Sequence, residues 1–334
     1  MRTGSDSKKL TLIYLQELFL QKTDKTHFIR MPEILSFLES KDIFVDRRTI
    51  YTDLKLLTYS GFEIVGVQEK GGYKYHHPSK TFNANELKFL TDSVAASKFL
   101  TEKKSKELIN KIKTLGSTFE ADSLNRNVLL SKRIKSMNDT VLKNLDILYQ
   151  AIAENSQITF QYQRWNEKKE LEFMREGKLF STSPFAISLN DDNYYLVAFD
   201  SRTEALRHYR VDKMKSIKLT FEAREGKDLF KSFNVVEYSQ KTFGMYGGKE
   251  ETVSIEVPNN MAGVFIDRFG DSLYMRKNFD NPKSFIAKVD VAISPQFFGW
   301  LCGLGSDIKI TNPESVKEQY IKYLETVLNN YNRQ

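Results

Sequence analysis

The chain is poor in the residues that most often carry chemistry. Among 334 residues there are four histidines and one cysteine, Cys302. A single thiol excludes an internal disulfide and any cysteine-based zinc site. Flanked by Trp300, Leu301 and Leu304, it is expected to be a buried structural thiol. The histidines are scattered: His27 falls in a turn, His76 and His77 are expected at the surface, and His208 lies in a strand-like stretch. No metal site is expected from such a distribution. Long apolar runs are missing as well. Nothing approaches the ~20 apolar residues of a membrane span and no N-terminal stretch reads as a secretion signal, so a soluble, cytoplasmic protein with no membrane contact is expected. Catalytic arrangements are equally scarce. There is no G-x-S-x-G element, Gly303-Leu304-Gly305 lacks the lysine of a phosphate loop, and Asp271, Asp280 and Asp290 form no acid/base pair. No catalytic residue, metal or cofactor is expected.

What is present is positive charge. The net charge is +7 and the isoelectric point is near 9.1, which favours an anionic partner. Residues 1–80 hold 13 Lys and Arg against 10 Asp and Glu, so placement matters more than bulk. The run from Asp46 to Leu57 supplies that placement. Asp46 suits a helix N-cap, and Ile50, Leu54 and Leu57 share one helical face. Arg48, Tyr51, Thr52 and Lys55 fall on the other, with Arg47 beside the N-terminus. A helix that enters the major groove N-terminal end first would put both arginines at base edges. A solvated amphipathic helix has the same pattern.

The flanking sequence fits a DNA-reading module. Lys9–Leu20 and Met31–Leu38 read as two further helices, and two β-rich runs, Phe62–Val67 and Tyr73–Tyr75, enclose a Gly71-Gly72 turn. Lys74 on that hairpin is a candidate phosphate contact. Helical patterns occupy Asn85–Leu115, with a capped restart at Thr101-Glu102, and Leu129–Ile152, with Ile134, Met137, Val141, Leu145 and Leu148 on one stripe. From Ile158 to Phe221 about five short strands suit a small, strongly bent sheet or barrel, with a turn at Asn190-Asp191-Asp192-Asn193. Lys241–Gly248 is glycine-rich and is expected to be a flexible boundary. After Glu251 the order strand, helix, strand, strand, helix, strand is ferredoxin-like, with one helix appended.

The stretch DRRTIYTDLKLLTYSGFEIVG (46–66) resembles the recognition helix and first wing strand of DeoR-like winged-helix regulators. Tyr194–Asp200 followed by Leu206–Met214 resembles the WYL-domain signature, with Tyr194 where the family has tryptophan. Phe298–Ile308 resembles the C-terminal extension that often follows WYL domains. In this order the three resemble a WYL-domain transcriptional regulator. The resemblance implies that the small β-barrel is Sm-like. With the element order it gives an expected α+β multidomain chain: a winged helix-turn-helix (1–80), a helical linker and dimerisation region (81–152), for which a helical cap on the central domain is the alternative, a WYL domain (153–240) and a ferredoxin-like extension (249–334).

On the strand Leu206–Arg210, His208 and Arg210 alternate onto one face, and Arg207 and Tyr209 onto the other. Two readings follow from the residues. Histidine and arginine side by side can receive a phosphate or carboxylate. Alternatively Arg210 pairs with Asp200 or Asp212, and Arg207 with Glu204. The resemblance implies the first, with Tyr195, His208 and Arg210 lining a ligand pocket and Arg207 and Ser183 as further members. It also implies the partners: a double-stranded DNA operator, a nucleotide or single-stranded nucleic-acid effector, and a second copy in a homodimer. Two rivals remain at this point: a constitutive regulator whose WYL domain is purely structural, and a nucleic-acid-processing enzyme with a winged-helix substrate-binding domain.

Overall fold

A computed structural model describes residues 4–78, 80–126, 140–231, 238 and 241–332. The chain forms two compact units, Met1–Asp139 and Thr140–Gln334. The helices expected as one linker over 81–152 are therefore shared between them. Part of the run expected over 129–152, including Ile134 and Met137, lies outside the described residues.

In the first unit α1 (Gly4–Lys22), β1 (Ile29–Arg30), α2 (Met31–Glu39) and α3 (Arg47–Tyr59) precede a hairpin of β2 (Val65–Glu69) and β3 (Gly72–His76). β1 pairs antiparallel with β3, giving a three-stranded sheet in the order β1-β3-β2. Asp46 caps α3 by accepting from the Thr49 amide at 2.7 Å. Ile50, Leu54 and Leu57 are buried against Leu15, Phe19, Ile34, Leu38 and Tyr75. Phe19 is fully buried, so truncating it to alanine should cost ~3–5 kcal/mol. Three helices follow: α4 (Ala84–Ala96), α5 (Glu102–Lys113) and α6 (Thr118–Arg126). Thr101 caps α5.

His76 and His77, expected at the surface, are buried. His76 Nδ1 lies 2.9 Å from the Asp24 carbonyl and His77 Nδ1 lies 2.6 Å from the Glu63 carbonyl. Their rings pack against Phe28 and Phe62. Each imidazole satisfies a main-chain carbonyl that would otherwise be orphaned where the hairpin meets the helices. Nearby, the buried Asp24 carboxylate accepts from the Thr26 and His27 amides and from the Ser117 hydroxyl at 2.7 Å. Ser117 is also the N-terminal capping residue of α6, where it accepts from the Glu120 amide while Glu120 accepts from its own.

In the second unit α7 (Val141–Ala153) buries Leu145 and Leu148. Its buried Asn144 donates to the carbonyls of Val211 and Met214. The strands β4 (Ser156–Trp165), β5 (Leu171–Phe173), β6 (Phe180–Asn190), β7 (Asn193–Asp200), β8 (Ala205–Arg210) and β9 (Met214–Ala223) form one bent, antiparallel sheet. The main order is β9-β4-β6-β7-β8, with β5 paired to the far half of β4. This half-barrel encloses Phe160, Phe180 and Tyr209, whose ring centroids lie 5.1–6.0 Å apart. Asp191 and Asp192 both have positive φ, as a two-residue hairpin turn of this hand requires. A short helix, α8 (Lys227–Lys231), follows β9.

The last region comprises β10 (Glu250–Pro258), α9 (Ala262–Phe269), β11 (Tyr274–Lys277), β12 (Ser284–Ala292), α10 (Pro295–Gly303), β13 (Lys309–Asn312) and α11 (Glu314–Asn332). Its sheet is antiparallel in the order β11-β12-β10-β13. Two sequence expectations fail here. Residues 241–248 are not a free boundary: Thr242, Phe243 and Met245 are buried. Phe243 joins the core of this region and Arg268 lies 4.2 Å over its ring. Cys302 is exposed rather than buried. α10 turns Phe297, Phe298 and Leu301 inward, and the next residue is rotated about 100° away from that face.

Candidate functional site

The first candidate surface is the outer face of α3. Arg47, Arg48, Tyr51, Thr52 and Lys55 are all exposed, while the opposite face is buried. The expected cationic stripe is therefore presented to solvent. Thr52 spends its hydroxyl on the Arg48 carbonyl at 3.1 Å. Lys74 is less available: it pairs with Glu69 at 3.1 Å and sits 4.3 Å over the Phe28 ring. Glu69 also holds Arg30 at 2.7 Å. Between α3 and the hairpin lies a cleft of about 720 Å³ with Tyr51, Lys55 and Tyr75 in its walls.

The second candidate surface is one face of β7 and β8. Tyr195 lies directly opposite Arg210, and Val197 opposite His208, so Tyr195, His208 and Arg210 share a face. Arg210 is already engaged. Its guanidinium donates to both Asp212 oxygens at 3.1 and 2.9 Å and to Asn193 Oδ1 at 2.8 Å. Its amide donates to the Tyr162 hydroxyl at 2.9 Å. Its hydrogen bond to Asp212 raises the Arg210 pKa further, outweighing burial, which lowers it, and the Asp212 charge adds to the rise. Of the two ion pairs weighed for Arg210 in the sequence, the one with Asp212 is formed; Asp200 is held by Arg202 instead.

His208 is largely buried. Its ring stacks on Tyr238 with centroids 5.2 Å apart and planes 20° apart. Among the described residues its buried Nε2 has no hydrogen-bond partner, and burial pushes the imidazole down to about 4. It is therefore neutral at physiological pH.

Two of the expected pocket residues stand elsewhere. Arg207 is exposed on the opposite face and donates to the Thr203 hydroxyl at 3.4 Å, rather than pairing with Glu204. Ser183 is fully buried and its hydroxyl accepts from the Glu225 amide at 2.9 Å. It ties β6 to the segment that follows β9. Conversely, Asn193, Tyr162 and Tyr238 surround the site without having been singled out in the sequence. Asn193 stood only as a turn residue, and nothing in the spacing of Tyr162 or Tyr238 ties them to β8.

The half-barrel and its leading helix coincide with a known family: residues 143–219 match the WYL domain. The chain carries a WYL domain. Two solved structures are similar over almost its whole length. One is proteasome accessory factor B/C (PafBC) of Arthrobacter aurescens, at 16% identity over 99% of this chain and 49% of that one, with a TM-score of 0.28. The other is a CRISPR Cas-related protein, at 14% identity over 98% of this chain and 92% of that one, with a TM-score of 0.35. The chain spans about half the length of the PafBC chain it matches. Neither superposition is close enough to carry an argument. No curated protein matches the sequence.

Proposed function

We propose that the chain is a sequence-specific, DNA-binding transcriptional regulator, a repressor in the simplest reading, whose WYL domain senses a nucleotide or single-stranded nucleic acid. In this reading residues 1–80 are a winged helix-turn-helix, the half-barrel is Sm-like, and residues 249–334 are a ferredoxin-like extension. Two copies pair so that two α3 helices meet two half-sites. The observation that carries the proposal is α3 itself. It is a capped helix with one fully buried face, and its exposed face holds Arg47, Arg48, Tyr51 and Lys55. Selection from random duplex DNA should return a preferred sequence. Arg48→Ala should weaken it by about 1–3 kcal/mol and relax the preference at one position. Unchanged affinity after replacing both Arg48 and Lys55 rules the helix out.

At the WYL domain, an entering phosphate would compete with the Asp212 carboxylate for the Arg210 guanidinium, and a base would stack on Tyr195. Exchange of one anion for another supplies a two-state element that a ligand can bias. A second reading is favoured by the same contacts. Arg210, fully engaged by Asp212 and Asn193, also serves a purely structural WYL domain in a constitutive regulator. Titrating wild type on its selected duplex, with and without short single-stranded oligonucleotides, separates the two. The proposal gives the chain no catalytic step; turnover of DNA or RNA by the purified protein would overturn that.

A further inference from the structure

We propose that Glu69 is a built-in competitor of the duplex: its carboxylate occupies a phosphodiester site formed by Arg30 and Lys74, and so weakens the sequence-independent part of DNA binding. The inference rests on the reading of residues 1–80 as a duplex-binding winged helix. It adds Arg30 to the contacts of that module and gives Glu69 an opposing role.

Strand register builds the site. Arg30 on β1 stands directly opposite Lys74 on β3, and like charges facing each other across an antiparallel pair repel. On the other side of β3, Val67 is the partner of Lys74. Glu69 lies two residues further along β2, on the same face. Its two oxygens are divided between the two cations: Oε2 accepts from Arg30 Nη2 at 2.7 Å and Oε1 from Lys74 Nζ at 3.1 Å. Each cation has a second support. The Arg30 guanidinium lies against the hairpin turn, where a Cβ on Gly71 would stand 2.8 Å from Nη1, a close approach that glycine permits. Lys74 Nζ sits 4.3 Å over the Phe28 ring. Ile29 and Tyr75, the chain neighbours of Arg30 and Lys74, are buried in the helix core, so the charged face of the sheet points away from that core.

A phosphodiester also presents two anionic oxygens, and a guanidinium beside an ammonium is a donor set that suits it. The Glu69 carboxylate holds that place in the free protein. The side chains of Arg30, Glu69 and Lys74 are 42%, 47% and 23% exposed, so these ion pairs are screened and exchange readily for another anion. A duplex that takes both cations has to displace Glu69 and then tolerate its uncompensated charge.

The test measures binding of the full chain to the duplex that wild type selects from a random pool, and to a random duplex, over a range of salt concentrations. Glu69→Gln keeps the size of a half-exposed side chain and leaves the core untouched. It should raise affinity for both duplexes roughly three- to tenfold and steepen the salt dependence by about one unit of slope, since one more phosphate is neutralised. Base preference should stay as in wild type. With Arg30 and Lys74 both changed to glutamine, the further change Glu69→Gln should add only the small gain due to net charge. A gain of undiminished size in that background reduces Glu69 to bulk charge and overturns the site. Unchanged or lower affinity of the single variant, at an unaltered salt dependence, overturns it as well and marks Glu69 as a strut of the hairpin. In both cases wild type still selects a duplex, and the reading of the module stands. A wild type that binds no duplex even at low salt overturns the reading and the inference together.

Discussion

His208 provides the most quantitative prediction for the WYL domain. Its imidazole is largely buried and stacked on Tyr238, and among the described residues Nε2 has no hydrogen-bond partner. Burial lowers it from 6.5 to about 4. In the unfolded chain it titrates near the ordinary value, so between these two pH values the unfolded state binds a proton that the folded state refuses. The folded state is therefore favoured fully above about pH 6.5 and loses that advantage as the pH falls towards 4, below which both states are charged. For one group with this shift the loss is about 2 kcal/mol at pH 5 and about 3 kcal/mol in the acid limit. His208→Gln removes the titration. Both tryptophans, Trp165 and Trp300, lie in the second unit, so denaturation followed by tryptophan fluorescence reports on the unit that holds His208. Between pH 7 and pH 5 wild type should lose about 2 kcal/mol more than the variant. Proton NMR of the four histidines, with His208→Gln as the assignment, should show one ring titrating near 4. Parallel stability curves, or a His208 titration near 6.5, would refute the argument.

Other outcomes follow from single contacts. Arg210→Ala removes the donor to Asp212 and Asn193 and should cost the second unit about 1–3 kcal/mol by tryptophan-detected denaturation; an unchanged transition would show those bonds to be idle. Asp24→Ala removes the acceptor shared by Ser117, Thr26 and His27 and should lower the first unit's melting temperature, seen by circular dichroism, while leaving the tryptophan signal alone. Burial raises the Asp24 pKa, but its hydrogen bonds outweigh this and hold it far below the carboxylate range. That stabilisation is present above about pH 4 and is lost as the pH falls. Sedimentation should give twice the chain mass of 38.8 kDa, and a monomer both free and on DNA would reject pairing.

The parts of this molecule that were legible in the sequence are those whose periodicity is long enough to show. α3 could be read residue by residue, because a 3.6-residue stripe over thirteen positions leaves little choice about which face is buried. The same holds for the alternation that put His208 and Arg210 together on β8, which the register opposite Val197 and Tyr195 now fixes. β1, only two residues long, carries no period and was invisible.

The side chains that went astray did so because their fate depends on a distant carbonyl or ring. Nothing within ten residues of His77 announces that Glu63 O needs a donor. Gly244, Gly247 and Gly248 point to a boundary, whereas the bulky Phe243 and Met245 on either side of Gly244 are the sign of a packed turn. The site on β8 shows the same limit. Spacing could place the Arg210 guanidinium on a face and name Asp212 as one claimant. That Asn193 accepts from the guanidinium and Tyr162 from the Arg210 amide depends on a turn and a strand 17 and 48 residues away. In the proposed sensing role those contacts would oblige a ligand to displace a carboxylate as well as fill a space. An effector for this site should therefore be more strongly anionic than one carboxylate, as a phosphate is, since a single carboxylate gains nothing by the exchange.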